Sequence, residues 1–393
     1  MRYIIGDILA FIGLVGLVGC TSDDTAEPTA AEPATVQLMS YVAEYEEPNE
    51  TNGTTRSWTP PTGYQCLDEL SDMSISVFFT EHPANDEMEE EFFFKRGDKW
   101  RVSKELSTGT TYYLYGYTPH HESIISRIAP IAGKTYADGA VLTLNNLPTI
   151  TTDDICVIVG AKNGKSDEDD NGLTTGQFSY ISKVAKDPGP GDYGNYVYLL
   201  FDHLYSCIDL RFSVEEKYNQ LRTIKLKKVE LMAMVLNEAT GVKTPLKKKT
   251  RADITLRKTT DGTSPIVHNN TEQIVFTPDE TSGNADEPLF TSAEGYKLTT
   301  SFSDFTGCFM SQGISDFIIR STYDVYDKKP DGTDGNLIRE NCVAENKLNI
   351  MHLFSPARIA SRGMKYSIKL IVNPTYLYVL SEPDLDNPTI RVS

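Results

Sequence analysis

Basic residues are nearly missing from the opening quarter of this 393-residue chain. Arg56 is the only Lys or Arg between Arg2 and Lys95. Over the whole chain 37 basic residues face 55 acidic ones, a formal charge of −18. That balance excludes the basic face a nucleic-acid binder needs, so no nucleic-acid partner is predicted. Helical periodicity is scarce; "EEKYNQLR" (215–222) is the best helical turn. No two cysteines stand in CxxC spacing, which removes the redox and zinc motifs of that type. There is no G-x-S-x-G, H-E-x-x-H, phosphate loop or dinucleotide fingerprint. An enzyme is therefore not predicted, and no catalytic residue, metal site or cofactor is assigned. Tryptophan is limited to Trp58 and Trp100, which leaves few aromatic platforms for a glycan, although 21 tyrosines are available.

What is present suits an exported globular protein. Apolar residues make up 39% of the chain and aromatic ones 10%, above the range of disordered chains. A length of 393 residues allows two or three domains at about 150 residues each. Residues 8–18, "ILAFIGLVGLV", are apolar but too short to span a bilayer. The run ends in Leu17-Val18-Gly19-Cys20, which resembles a bacterial lipobox in which Cys20 is acylated and becomes the new N-terminus. It departs from that pattern in having only Arg2 as positive n-region and Asp7 before the apolar run. Five cysteines then remain (Cys66, Cys156, Cys207, Cys308, Cys342), an odd number that reads mostly as small buried apolar residues.

Residues 21–56 hold eight acids against one base. "TSDDTAEPTAAEPAT" is a tether by composition. "TVQLMSYVAEY" then turns strand-like, with Val36, Leu38 and Val42 on one face. From Ser57 onward β signals dominate. Ile75, Val77 and Phe79 alternate with serines, and Ile208, Leu210, Phe212 and Val214 alternate with Asp209, Arg211 and Ser213. The second run predicts a half-buried strand with its polar face to water. The apolar parity of Ile224 and Leu226 flips to that of Val229 and Leu231, which predicts a one-residue bulge at Lys227-Lys228. "TTYYLYGYTP" (110–119) is aromatic on both faces, as a strand between two layers would be. "KKPDGTDGN" (328–336) reads as a hairpin loop, and "DPGPGDYG" (187–194) and "TTDGTSP" (259–265) as turns. Many short strands with such turns predict β-sandwiches, with a boundary near residue 200.

The remaining chemical candidates are weak. "DEDDNG" (167–172) opens like a calcium loop, but its twelfth position is Phe178 rather than Glu. His120 and His121 are adjacent and point apart on extended backbone. His203 follows the parity of Leu199 and Phe201 and reads as a core histidine. "KTPLKKKTR" (243–251) reads as a solvated hairpin tip. The C-terminal "TYLYVLSEPDLDNPTIRVS" carries β-type residues together with Pro383 and Pro388, which predicts an edge strand or a detached extension. An apolar, β-prone tail on an exported chain invites pairing with another chain.

The lipobox with its Asp-rich start, "TTYYLYGYTP", "VYLLFDHLYSCIDLRFSV" (197–214) and "KYSIKLIVNPTYLYVLSEPDLDNPTI" (365–390) together resemble the fimbrillin family, the type V pilins. Thr21-Ser22-Asp23-Asp24 resembles the signal that sends lipoproteins of the Bacteroides group to the outer face of the outer membrane. The resemblance implies an all-β chain of two tandem transthyretin-like antiparallel β-sandwiches behind a lipidated leader. It implies a signal peptide at 1–20, an acidic leader with a placeholder strand at 21–56, sandwiches at 57–200 and 201–393, and a polymerising tail at about 375–393. A trypsin-like Arg-specific protease would cut after Arg56, leaving Ser57 as the mature N-terminus. The partners would be further copies of the chain or related pilins, joined head to tail by strand exchange into an extracellular pilus that supports adhesion. Tyr376, Tyr378, Leu380, Ile390 and Val392 would be the donor-strand side chains, left loose in the monomer. Loss of residues 1–56 removes nine acids and two bases, moving the formal charge from −18 to −11. The alternative is a surface lipoprotein that keeps its lipid at Cys20 and binds a glycan or host protein without polymerising.

Overall fold

Alternating and all-apolar runs build an almost entirely β protein. The computed structural model describes residues 37–43, 64–66, 74–84, 88–96, 99–101, 106–107, 109–163, 176–181, 196–237, 239–259, 273–304, 308–311, 313–376 and 383–392. The strands up to the middle of the chain are β1 (Gln37–Ala43), β2 (Tyr64–Cys66), β3 (Ile75–Thr80), β4 (Glu89–Arg96), β5 (Lys99–Arg101), β6 (Thr111–Thr118), β7 (Ile125–Pro130), β8 (Gly139–Pro148), β9 (Ile150–Thr151), β10 (Cys156–Asn163), β11 (Ser179–Ile181) and β12 (Tyr196–His203). There follow β13 (Ser206–Val214), the short helix α1 (Glu216–Asn219), β14 (Arg222–Asn237), β15 (Val242–Pro245), β16 (Lys249–Arg257), β17 (Ile274–Pro278) and β18 (Asp286–Lys297). The last elements are β19 (Ser303–Asp304), β20 (Cys308–Met310), β21 (Ile314–Lys328), β22 (Asp334–Asn349), α2 (Ile350–Leu353), β23 (Lys365–Tyr376) and β24 (Pro383–Val392).

Four sheets enclose two apolar cores. A nine-stranded sheet runs β10-β12-β1-β5-β4-β3-β6-β11, with β2 also paired to β1, and a four-stranded sheet runs β17-β16-β8-β7. Val77, Leu114 and Leu199 of the first meet Leu142, Leu144 and Ile254 of the second in one core. The second core lies between β24-β23-β13-β20-β9 and β15-β14-β21-β22, joining Leu210, Phe212 and Leu370 to Leu226, Leu231 and Ile319. Residues up to Tyr205 pack in the first core and those from Ile208 in the second. The hairpin β16–β17 returns to the first core, and Ile150 of β9 joins the second.

The strand readings hold where one physical cause sets the pattern. β6 is buried on both faces, with Leu114, Tyr115 and Tyr117 fully enclosed. A Cβ at Gly116 would stand 2.0 Å from the Ser76 carbonyl oxygen, so the small residue among the aromatics lets β6 lie against β3. The register of β14 against both β18 and β21 shifts between Leu226 and Lys228, which is the bulge the parity flip requires. The 328–336 turn closes the β21–β22 hairpin, with Gly332 at φ +82°. The expected turn near 215–222 is α1, capped by the Glu215 carboxylate accepting from the Tyr218 N–H at 2.9 Å.

Three expectations are corrected. The polar face of β13 is covered rather than wet: Asp209 and Ser213 are buried, and the Asp209 carboxylate is instead met by Arg211 at 3.1 Å and Lys365 at 3.6 Å. "KTPLKKKTR" is no hairpin tip. Residues 243–245 lie in β15, Leu246 is buried, and 249–251 already belong to β16. This segment carries the chain between the cores and is tied down by backbone bonds such as Ala285 N–H to the Leu246 carbonyl at 2.7 Å. Residues 383–392 of the tail are not loose: β24 pairs antiparallel with β23 as an edge strand, the one of the two expected positions that its prolines tolerate.

Candidate functional site

β1 is hydrogen-bonded on both sides, in the middle of the largest sheet. Along one side it runs parallel to β12, from Gln37 opposite Tyr196 to Val42 opposite Phe201. Along the other it is antiparallel to β5 (Leu38 opposite Trp100) and to β2 (Tyr41 opposite Cys66). The flanking strand β12 is all core: Val197, Tyr198, Leu199, Leu200 and Phe201 are each 0–1% exposed. Without β1, one side of β12 would hold a row of unpaired N–H and C=O groups beside fully apolar side chains. Such an edge is a template for another strand. β1 precedes Arg56 in the chain, so a cut at Arg56 would part it covalently from every strand it pairs with.

The tail sits at the far edge of the second core. β23 runs parallel to β13, and β24 lies outside it with Val372 opposite Ile390 and Leu370 opposite Val392. Tyr376 ends β23 opposite Pro383. Ile390 and Val392 are thus brought together in β24, whereas Tyr378 and Leu380 lie outside the described residues, as do Cys20, Arg56, Ser57 and the acidic loop 167–172.

A second constellation escaped sequence reasoning. Asp154, Cys156 and His203 gather where β10 starts and β12 ends, Cys156 being the cross-strand partner of His203. His203 is buried, as its parity implied, with Nδ1 at 2.8 Å from Asp154 Oδ2 and 3.5 Å from Cys156 Sγ. Burial first, then Asp154 and Asp202, push the Cys156 thiol well above its ordinary range. Beside it, Arg362 Nη1 donates to the His203 carbonyl at 2.9 Å and meets Asp202 Oδ2 at 3.1 Å, both side chains being almost fully buried. The adjacent pair diverges: His120 Nδ1 contacts Ser76 Oγ at 3.0 Å, and His121 Nε2 lies 3.3 Å from Asp153. Cys207 and Cys308 are buried free thiols, and Cys342 is half-buried on β22.

No protein-family model and no curated protein matches the chain. Several solved structures are similar to it. A fimbrial protein from Bacteroides vulgatus aligns at TM-score 0.37 and 11% identity, over 91% of this chain and 98% of that one. A candidate cell adhesion protein from Bacteroides fragilis aligns at TM-score 0.40 and 9% identity, over 92% and 97%. The fimbrial anchor protein Mfa2 from Porphyromonas gingivalis aligns at TM-score 0.25 and 10% identity, over 91% and 97%.

Proposed function

We propose that the chain is a structural subunit of a cell-surface fimbrium, polymerised by protease-triggered strand exchange. The observation that carries this reading is the place of β1. It fills the middle of a sheet yet belongs to a leader that ends in one isolated arginine. Cys20 holds the precursor in the outer membrane through its lipid, and a trypsin-like protease cuts after Arg56. The severed leader leaves the gap between β12 and β5, and the tail strand of the next subunit fills it. To do so the tail must first leave β23. The joint is heterologous, so subunits add head to tail into an open filament. The other surface role, binding a glycan, needs exposed aromatic faces. Among the side chains whose exposure the structure describes, Tyr296 is the one strongly exposed aromatic.

The test is Arg56→Ala in the native exporting cell. The expected outcome is a lipidated monomer whose N-terminal residue is the acylated Cys20, with no polymer. Wild-type-like polymers from that variant would overturn the reading.

A further inference from the structure

Asp154, Cys156 and His203 form a compact O, S, N donor set remote in chemistry from the strand-exchange gap. Cys156 and His203 are each 2% exposed, while Asp154 reaches the surface with its side chain 23% exposed. Their three ligating atoms all lie within 4.8 Å of one another.

A nucleophilic relay does not fit. A relay needs the carboxylate on one ring nitrogen and the thiol on the other. Here His203 Nδ1 faces both, Asp154 Oδ2 at 2.8 Å and Cys156 Sγ at 3.5 Å. Three donor atoms within 4.8 Å of one another suit a cation. Zinc holds sulfur at about 2.3 Å and imidazole nitrogen at about 2.0–2.1 Å in a tetrahedron, which sets the two ligands about 3.5 Å apart. That is the separation of Cys156 Sγ from His203 Nδ1. The same geometry asks for about 3.3 Å between nitrogen and oxygen. The 2.8 Å contact with Asp154 needs only a small outward turn of a partly exposed side chain to reach it.

The surroundings hold the backbone of His203 in place. The His203 backbone N–H donates to Asp202 Oδ1 at 2.9 Å, and Arg362 grips the His203 backbone carbonyl and the Asp202 carboxylate together. The charges also fit: the carboxylates of Asp154 and Asp202 stand beside Arg362, and a dication would displace the proton of the Cys156 thiol.

The geometry points to a zinc-class divalent cation bound by Asp154 Oδ, Cys156 Sγ and His203 Nδ1, with water as fourth ligand on the open Asp154 side. The cation clamps the start of β10 to the end of β12. This inference does not depend on the fimbrial reading, and fails or stands apart from it.

The test uses the full chain, stripped with chelator and titrated with Co²⁺. Thiolate ligation gives a sulfur-to-cobalt charge-transfer band in the near ultraviolet. The expected result is a band saturating at one Co²⁺ per chain and erased by added Zn²⁺. Asp154→Asn, at a partly exposed position, keeps the fold and weakens Co²⁺ binding tenfold or more; Cys156→Ser abolishes the band. Absence of the band in the wild-type chain, its persistence in Cys156→Ser, or unchanged affinity in Asp154→Asn each overturns the proposal. The wild-type and Asp154→Asn measurements stand even where Cys156→Ser folds poorly.

Discussion

At the residue scale the buried charges decide most. Arg362 and Asp202 are each about 2% exposed and pair at 3.1 Å. Removing one partner strands the other in a medium that cannot solvate it, at about 3–5 kcal/mol, whereas replacing both with apolar residues costs much less. We therefore expect Arg362→Leu to lower the urea midpoint strongly and Arg362→Leu with Asp202→Leu to recover most of it. A double variant as unstable as the single one would show that the pair does more than neutralise itself. Asp334 gives a pH-dependent case. Lys297 at 2.7 Å, with Lys225 at 2.9 Å, holds its carboxyl down at about 2 against an ordinary 3.8. A folded-state pKa below the unfolded one stabilises the protein above the unfolded value and loses that stabilisation as pH falls through the folded value. Wild type should exceed Asp334→Asn in stability near neutrality, and the gap in urea midpoint should close between pH about 4 and about 2. A gap that stays constant across that range would rule the contribution out. These residues also mark what a sequence conceals. The bulge at Lys227-Lys228 was legible because parity is local. The grouping of Asp154 and Cys156 with His203 was not: 47 residues separate Cys156 from His203, and only the β10–β12 register joins them.

At the element scale the same contrast returns. Alternation in "TVQLMSYVAEY" marks a strand, and β1 is there. Nothing local says that it enters between β12 and β5, because strand partners are set by the whole sheet. Sequence reading likewise misplaced the basic segment 243–251. Its lysines suggested a solvated tip, but a strand whose outward side chains are charged looks the same on paper. The corrected position changes the reason for a prediction. Arg251 is an exposed side chain on a locked backbone: β16 is paired to β8 through Thr250 and Ala252 and to β17 through Arg251 opposite Thr277. A protease needs several residues of free extended chain, so a cut there requires the sheet to open locally. With an Arg-specific protease acting on the folded chain, we expect rapid release of the 1–56 leader and slow cleavage at Arg251. A stable fragment beginning at Ala252, formed as fast as one beginning at Ser57, would refute this.

At the scale of the whole molecule the two ends of the chain occupy opposite kinds of position. β1 is an inner strand of the first core's largest sheet, while β24 is the outermost strand beside the second core. An inner strand cannot leave without exposing backbone on both neighbours, but an outer strand can leave at the cost of one ladder. This asymmetry suits the proposed roles: β1 as the piece that must be cut free, and the tail as the piece able to move. Truncation should therefore separate folding from assembly. The strand β23 runs to Tyr376, just into the stretch of about 375–393 expected to be tail. The informative variant accordingly ends at Tyr376 and lacks β24. It should keep both cores, because Leu370 and Val372 remain packed beside β13, and should melt cooperatively at a modestly lower temperature. After protease treatment it should form no SDS-resistant ladder alone. It should still cap full-length subunits, since its own gap beside β12 can accept a tail but it has none to offer. A subtler variant, Ile390→Asp, should weaken ladders by placing an unpaired charge against an apolar groove. Ladders from the truncated subunit alone would place the joining strand elsewhere in the chain.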